Sequence, residues 1–286
     1  MTYGVDARDT ASQAGSCQNT GLMTDQLEGP RPVLGAFWVA GFPDSCSGVE
    51  ALVAYAESGA AVLEVGAPAM NPWLDGRAIA AAHHCAIRAG HGVETTLATV
   101  QQVSALTGKP VIVMSYWATI ESYGVGRVTH ALASAGAAGC LVPDVPAGQV
   151  GAWAAAAAAA GISAPLLANR EASPGELTAT SRAATGFVYA PAVAGQRTGY
   201  ADGIDLDSLA SFVASVRRAA PVTPVVTGIG ISTPDLAAAV VRQTGVVGVM
   251  VGSPLIRAFA EGGLSRAAGL ASEFTAAVAR PRVVKR

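Results

Sequence analysis

The chain has 286 residues, with 18 basic side chains against 20 acidic and a formal charge of −2. Hydrophobic residues make up 51% and charged residues 13%, against roughly 25% charged in an average globular protein. This composition excludes a disordered chain, offers no basic stripe for nucleic acid and suits one large domain or two small ones.

Residues 1–29 are polar and lack sustained periodicity, so a tail or a short covering helix is expected there. No apolar signal core follows Asp6, Arg8 and Asp9, and no run of about 18 strongly apolar residues suggests a membrane span. Cys17, Cys46, Cys85 and Cys140 are far apart and form no CxxC, which points to structural thiols and a cytoplasmic chain. His83, His84, His91 and His130 show no metal-ligand spacing. No metal or cofactor is expected.

From Pro30 a unit recurs: a short apolar run, a turn, then a stretch with helical spacing. The runs are Val33–Val39, Ala61–Val65, Pro110–Met114, Gly139–Val142, Pro165–Ala168, Gly186–Tyr189, Pro224–Thr227 and Val246–Val251. Between them lie helical stretches such as Gly48–Ser58, Thr95–Thr107, Gly126–Ala135, Ala147–Ala160, Asp207–Ala219, Thr233–Gln243 and Pro254–Glu261. Continuous apolar strands alternating with helices indicate a parallel sheet. Eight such units in roughly 250 residues predict an α/β fold of the (β/α)8 type, a TIM barrel in a single domain over 30–286. A dinucleotide-binding sheet is excluded, because Gly228-x-Gly230 is followed by Thr233 where a third glycine is required.

A barrel does its chemistry where strands end. Run 2 carries Glu64, and a carboxylate in an apolar strand is costly unless paired or used. The loop after it carries a second carboxylate, Asp75. Run 3 ends in Ser115-Tyr116-Trp117, run 4 in Val142-Pro143-Asp144 and run 6 at Tyr189. Gly230 follows run 7, and Gly252-Ser253 follows run 8. Glycines beside a helix N-terminus let backbone N–H groups approach an anion. With Gly199 from the sixth loop, they predict a phosphate site.

These segments resemble the tryptophan synthase alpha subunit family over roughly residues 33–260. The resemblance rests on Leu63-Glu64-Val65-Gly66 with Pro68, Asn71-Pro72 and Asp75-Gly76, and on Leu141-Val142-Pro143-Asp144-Val145-Pro146. It is extended by Phe187-Val188-Tyr189-Ala190, Thr198-Gly199, Gly228-Ile229-Gly230-Ile231-Ser232-Thr233-Pro234 and Val251-Gly252-Ser253.

The resemblance implies retro-aldol cleavage of indole-3-glycerol phosphate to indole and glyceraldehyde 3-phosphate, without cofactor. It implies Glu64 as general acid/base and Asp75 as the acceptor for the indole N–H. Tyr189 and Tyr116 would bind the substrate, and Gly199, Gly230, Gly252 and Ser253 its phosphate. A tryptophan synthase beta subunit is the candidate partner. Several positions depart from the family pattern. Asn71 stands where an aspartate is usual and Ala118 where an asparagine is usual, on surfaces that face the beta subunit in the family. Both changes point to weakened coupling, and so to a lyase that works alone. Arg77 replaces a proline. Ala168-Asn169-Arg170-Glu171 replaces an Ala-Pro pattern, and Gln196-Arg197 lengthens the sixth loop. Arg77 and Arg197 are read either as solvent-exposed or as ligands for an extra anionic group. Two other readings stay open: a related lyase or aldolase on a modified phosphorylated substrate, and a non-catalytic regulatory barrel.

Overall fold

The structure is a computed structural model, which describes residues 21–193, 195 and 203–279. Eight strands alternate with helices: β1 (Val33–Val39), β2 (Val62–Gly66), β3 (Val111–Met114), β4 (Gly139–Leu141), β5 (Leu166–Leu167), β6 (Val188–Pro191), β7 (Val225–Gly228) and β8 (Gly248–Val251). All paired neighbours are parallel, in the order β4-β3-β2-β1-β8-β7-β6-β5. The two outer strands approach each other through a parallel bridge between Gly139 and Ser163. There the Cys140 N–H donates to the Ser163 carbonyl and the Ser163 N–H to the Ala138 carbonyl, each at 3.0 Å. A Cβ on Gly139 would lie 2.9 Å from the Ser163 carbonyl oxygen, so glycine permits this near-closure. The result is the expected (β/α)8 barrel.

The strands are buried almost throughout, because helices cover their outer face and side chains fill the interior. On the outer side of β1, Trp38 is fully buried against Tyr55 and Phe259. Its indole N–H donates to the Phe42 carbonyl at 2.7 Å, so the one polar atom of that ring is satisfied.

Each expected run contains a strand: β1 matches at both ends, and no other end is shifted by more than two residues. Run 5 contributes only Leu166–Leu167, although the Ala168 N–H still bonds the Tyr189 carbonyl at 2.9 Å. The stretch expected as one helix from Ala147 begins with a 3-10 turn, Ala147–Gln149, and continues as helix Val150–Ala159. The last helix, Ser253–Val278, bends at Gly262 and Gly263, where φ is −153° and +69°. Its first part therefore stops where the sequence suggested, and a further amphipathic part buries Ala267, Ala271 and Phe274. Residues 21–27 are helical, with Met23 and Leu27 buried.

Candidate active site

Glu64 lies at the middle of β2, in register with Phe37 of β1 and Ile112 of β3. Its side chain lines a cavity at the strand ends, about 690 Å³ when the open space at its mouth is included. Phe37, Met114, Leu141, Leu167, Tyr189 and Met250 build an apolar wall. Gly230, Ile231, Ser232, Gly252, Ser253 and Arg257 also line the cavity. Asp75 completes the lining.

The two carboxylates differ in their surroundings. Glu64 receives no hydrogen bond from the described residues, and its carboxyl is pushed up to about 8, first by burial and then by the charge of Asp75. Asp75 accepts a hydrogen bond. Its Oδ2 accepts from the Tyr116 hydroxyl at 2.6 Å, and the His83 Nε2 lies 3.3 Å from the same oxygen. Asp75 also immediately precedes Gly76, the N-cap of helix Arg77–Arg88, where the helix dipole favours negative charge. One carboxyl thus carries a proton near neutral pH beside a second that acts as an acceptor, the arrangement that separates acid from anion in two-carboxylate sites.

Tyr189 stands on β6, buried, with its hydroxyl pushed up by burial and by the charges of Glu64 and Asp75. A Cβ on Gly228 would lie 2.0 Å from that hydroxyl, so glycine is needed for the ring to stand there. Burial, the Asp75 charge and the Asp75 hydrogen bond raise the Tyr116 hydroxyl. Tyr116 is not on the cavity wall. It stands behind Asp75, and its oxygen also accepts from the Leu74 N–H at 3.2 Å. Asp144 links two loops: its Oδ1 accepts from the Trp117 N–H at 2.7 Å and its Oδ2 from the Trp73 indole N–H at 3.3 Å.

The glycine-containing turns of the cavity are built from backbone. Gly230 adopts φ +97° and Ile229 φ +57°, a conformation that a β-branched residue rarely takes. The turn they form presents residues 230–232 to the cavity. The helix that starts at Ser253 has no side-chain cap at Gly252, and since Pro254 lacks an N–H, the first-turn donors left without a cap are those of Ser253 and Leu255. A Cβ on Gly252 would lie 2.8 Å from the Phe37 ring.

The structure therefore brings together Glu64, Asp75, Tyr189, Gly230, Gly252 and Ser253 around one cavity. Gly199, Thr198 and Arg197 lie outside the described residues. Met70, Asn71, Arg77 and Ala118 are exposed. Arg170, flagged as a departure, donates to the carbonyls of Pro191 and Ala192 at 3.3 and 2.8 Å and to the Ser208 hydroxyl at 2.6 Å. It ties the loop after β5 to the end of β6. Sequence reasoning passed over His83, Phe37 and Arg257. For His83 a signal was present: Ile79, Ala82, His83 and Ala86 follow the i, i+3, i+4, i+7 pattern of a buried helix face.

Among the described residues, Cys46, Cys85 and Cys140 are free thiols, and no helix is long and apolar enough to cross a membrane. No group of three or more His, Cys, Asp or Glu side chains among them is placed to hold a metal ion.

A (β/α)8 barrel with two buried carboxylates at its mouth, facing a glycine-rich helix start, defines the class as a barrel enzyme of the acid–base type. The family model described as tryptophan synthase alpha chain matches residues 24–280, and the chain belongs to that family. It is 37% identical over 247 residues to the tryptophan synthase alpha chain of Streptomyces coelicolor, covering 84% of this chain and 88% of the relative. It is 36% identical over 248 residues to that of Mycobacterium avium, covering 87% and 89%. Among solved structures, tryptophan synthase from M. tuberculosis, in an open form with BRD0059 bound, matches with a TM-score of 0.81 and 32% identity. That match covers 91% of this chain and 98% of the other. The alpha subunit from Legionella pneumophila matches with a TM-score of 0.80 and 25% identity, covering 91% and 98%.

Proposed function

We propose that the chain is a carbon–carbon lyase that cleaves indole-3-glycerol phosphate to indole and glyceraldehyde 3-phosphate. The observation that carries this reading is the pairing of a carboxyl pushed up to about 8, Glu64, with a hydrogen-bonded carboxylate, Asp75, in one cavity. Such a pair matches what the reaction demands, in which one group exchanges protons and the other stays anionic beside a growing positive charge.

Substrate binds with its indole against the Phe37, Leu141 and Tyr189 wall and its phosphate toward Gly230, Gly252 and Ser253. Glu64 delivers its proton to the indole C3 carbon. The ring becomes a cationic indolenine, whose N–H donates to Asp75. Glu64, now a carboxylate, accepts the proton of the side-chain hydroxyl next to C3. The C3 to side-chain bond breaks, its electron pair returns to the ring, and indole leaves with the aldehyde. Glu64 ends the cycle with the proton count it began with. Tyr116 serves this chemistry by holding Asp75 at Oδ2.

We further propose that the chain works with weakened coupling to a beta subunit. Asn71 and Ala118 are exposed at the barrel mouth. Asn71 brings no charge to that surface and Ala118 no side-chain amide, which supports weaker attraction to a partner.

The test is indole release by the wild type and Glu64→Gln. The variant is expected to lose activity by about a hundredfold to ten-thousandfold while still binding glycerol 3-phosphate. An active Glu64→Gln variant would contradict the assignment.

A further inference from the structure

His83 belongs to no part of the chemistry derived so far, yet it is one of the most constrained side chains at the site. It is fully buried on helix Arg77–Arg88. Its Nδ1 lies 3.2 Å from the Ala69 N–H, which donates to it. A nitrogen that accepts a hydrogen bond carries a lone pair, so the ring's single proton must sit on Nε2. That nitrogen lies 3.3 Å from Asp75 Oδ2 and has no other partner. The contact falls short of full hydrogen-bond alignment, a common state for catalytic contacts before substrate tightens them.

Two consequences follow from one imidazole. The acceptor role of Nδ1 fixes the tautomer, because a proton there would face the Ala69 N–H, donor against donor. The ring also spans the loop that carries Asp75, touching Ala69 at its start and Asp75 at its end. The Tyr116 hydroxyl and His83 Nε2 converge on the same carboxylate oxygen, and the two rings meet edge to face at 6.4 Å between centroids.

We propose that His83 is a positioning residue for Asp75: a neutral imidazole whose Nε2–H steadies the carboxylate that faces the developing indolenine cation. This rests on the lyase reading above. It gives Asp75 a buried donor in addition to Tyr116 and pins the loop from Ala69 to Asp75 without adding net charge to the cavity. The cation is strongest in the transition state, so His83 acts on kcat more than on KM.

The test uses two substitutions that divide the ring's contacts. His83→Asn keeps an acceptor near the Nδ1 position and loses the reach to Asp75. His83→Gln places an N–H near the Nε2 position and gives up the Ala69 contact. His83→Asn is expected to lower kcat by about tenfold to a hundredfold, the effect of losing a hydrogen bond to a buried charge, with KM nearly unchanged. His83→Gln is expected to recover most of that loss. Wild-type kcat in His83→Asn, or equal losses in both variants, would overturn the proposal. Nitrogen-15 spectra of the imidazole, assigned by difference against His83→Gln, read the tautomer without turnover. They are expected to show a protonated Nε2 and a bare Nδ1 at neutral pH. The opposite tautomer, or an imidazolium, would overturn the proposal. Failure of the substrate assignment would instead appear as absent indole release with the tautomer intact.

Discussion

At the residue scale, the site depends on keeping a proton on Glu64. Its folded-state value of about 8 stands above the ordinary 4.5, so the folded chain holds a proton that the unfolded chain releases. The stability contributed by that proton is complete below about 4.5 and is lost progressively as the pH rises toward about 8. Glu64→Gln removes this dependence. In thermal melts, Tm of the variant relative to the wild type is expected to rise between pH 5 and 8, by about 2–4 °C for each kcal/mol recovered in a chain of this size. Parallel curves would contradict a raised Glu64. In the proposed mechanism the same proton serves catalysis, so kcat/KM is expected to fall as pH passes about 8. Gly228 sets the position of Tyr189, because a Cβ there would lie 2.0 Å from the hydroxyl. Gly228→Ala is expected to cost about 1–3 kcal/mol from overpacking and to raise KM, as read from denaturant midpoints and steady-state kinetics.

Residue types at strand ends made much of this site legible. Glu64 inside an apolar strand, and glycines after β7 and β8, are anomalies that chemistry explains. Tyr116 was legible as a residue of the site, but its direction was not. Whether a strand-end tyrosine faces substrate or a neighbouring carboxylate depends on the loop that folds over it. His83 was hidden because metal-ligand spacing says nothing of burial, and only the helix face tells which of His83 and His84 is buried. His83 is buried and His84 exposed.

At the element scale, the alternation of apolar runs and helical stretches carried the architecture, because parallel strands covered on both faces need no polar side. Ends and short elements were harder to read. Run 5 shrinks to Leu166–Leu167 because the chain turns away at Asn169, where Arg170 takes its bonds from the end of β6 and from Ser208. Helix Pro174–Ala183 was missed, although Ser173 and Glu176 form a capping box with Pro174 at the first turn, a local signal weaker than hydrophobic periodicity. The junction of β8 with its helix gives the prediction at this scale. Gly252→Ala would press a methyl against the Phe37 ring at 2.8 Å and crowd the uncapped helix start. KM for the phosphorylated substrate is expected to rise about tenfold or more, the loss of one charge-assisted hydrogen bond, with kcat less affected. A fall in kcat at unchanged KM would contradict a phosphate role for this junction.

At the scale of the whole molecule, the nearly closed barrel lets loops from separate strands converge on one cavity. β2 supplies Glu64, the loop after it Asp75, β6 Tyr189, and the turns after β7 and β8 Gly230 and Gly252. No single element holds the site, so its assembly reports on closure of the sheet. The weakened coupling proposed above is likewise a property of the molecule with its partner, and it rests on the exposed Asn71 and Ala118. The most direct measurement is indole release from indole-3-glycerol phosphate by the purified chain, first alone and then with a tryptophan synthase beta subunit. Release by the chain alone, little changed by the beta subunit, is the predicted result. No release in either condition would contradict the lyase assignment, and a chain inert alone but strongly stimulated by the beta subunit would contradict the weakened coupling.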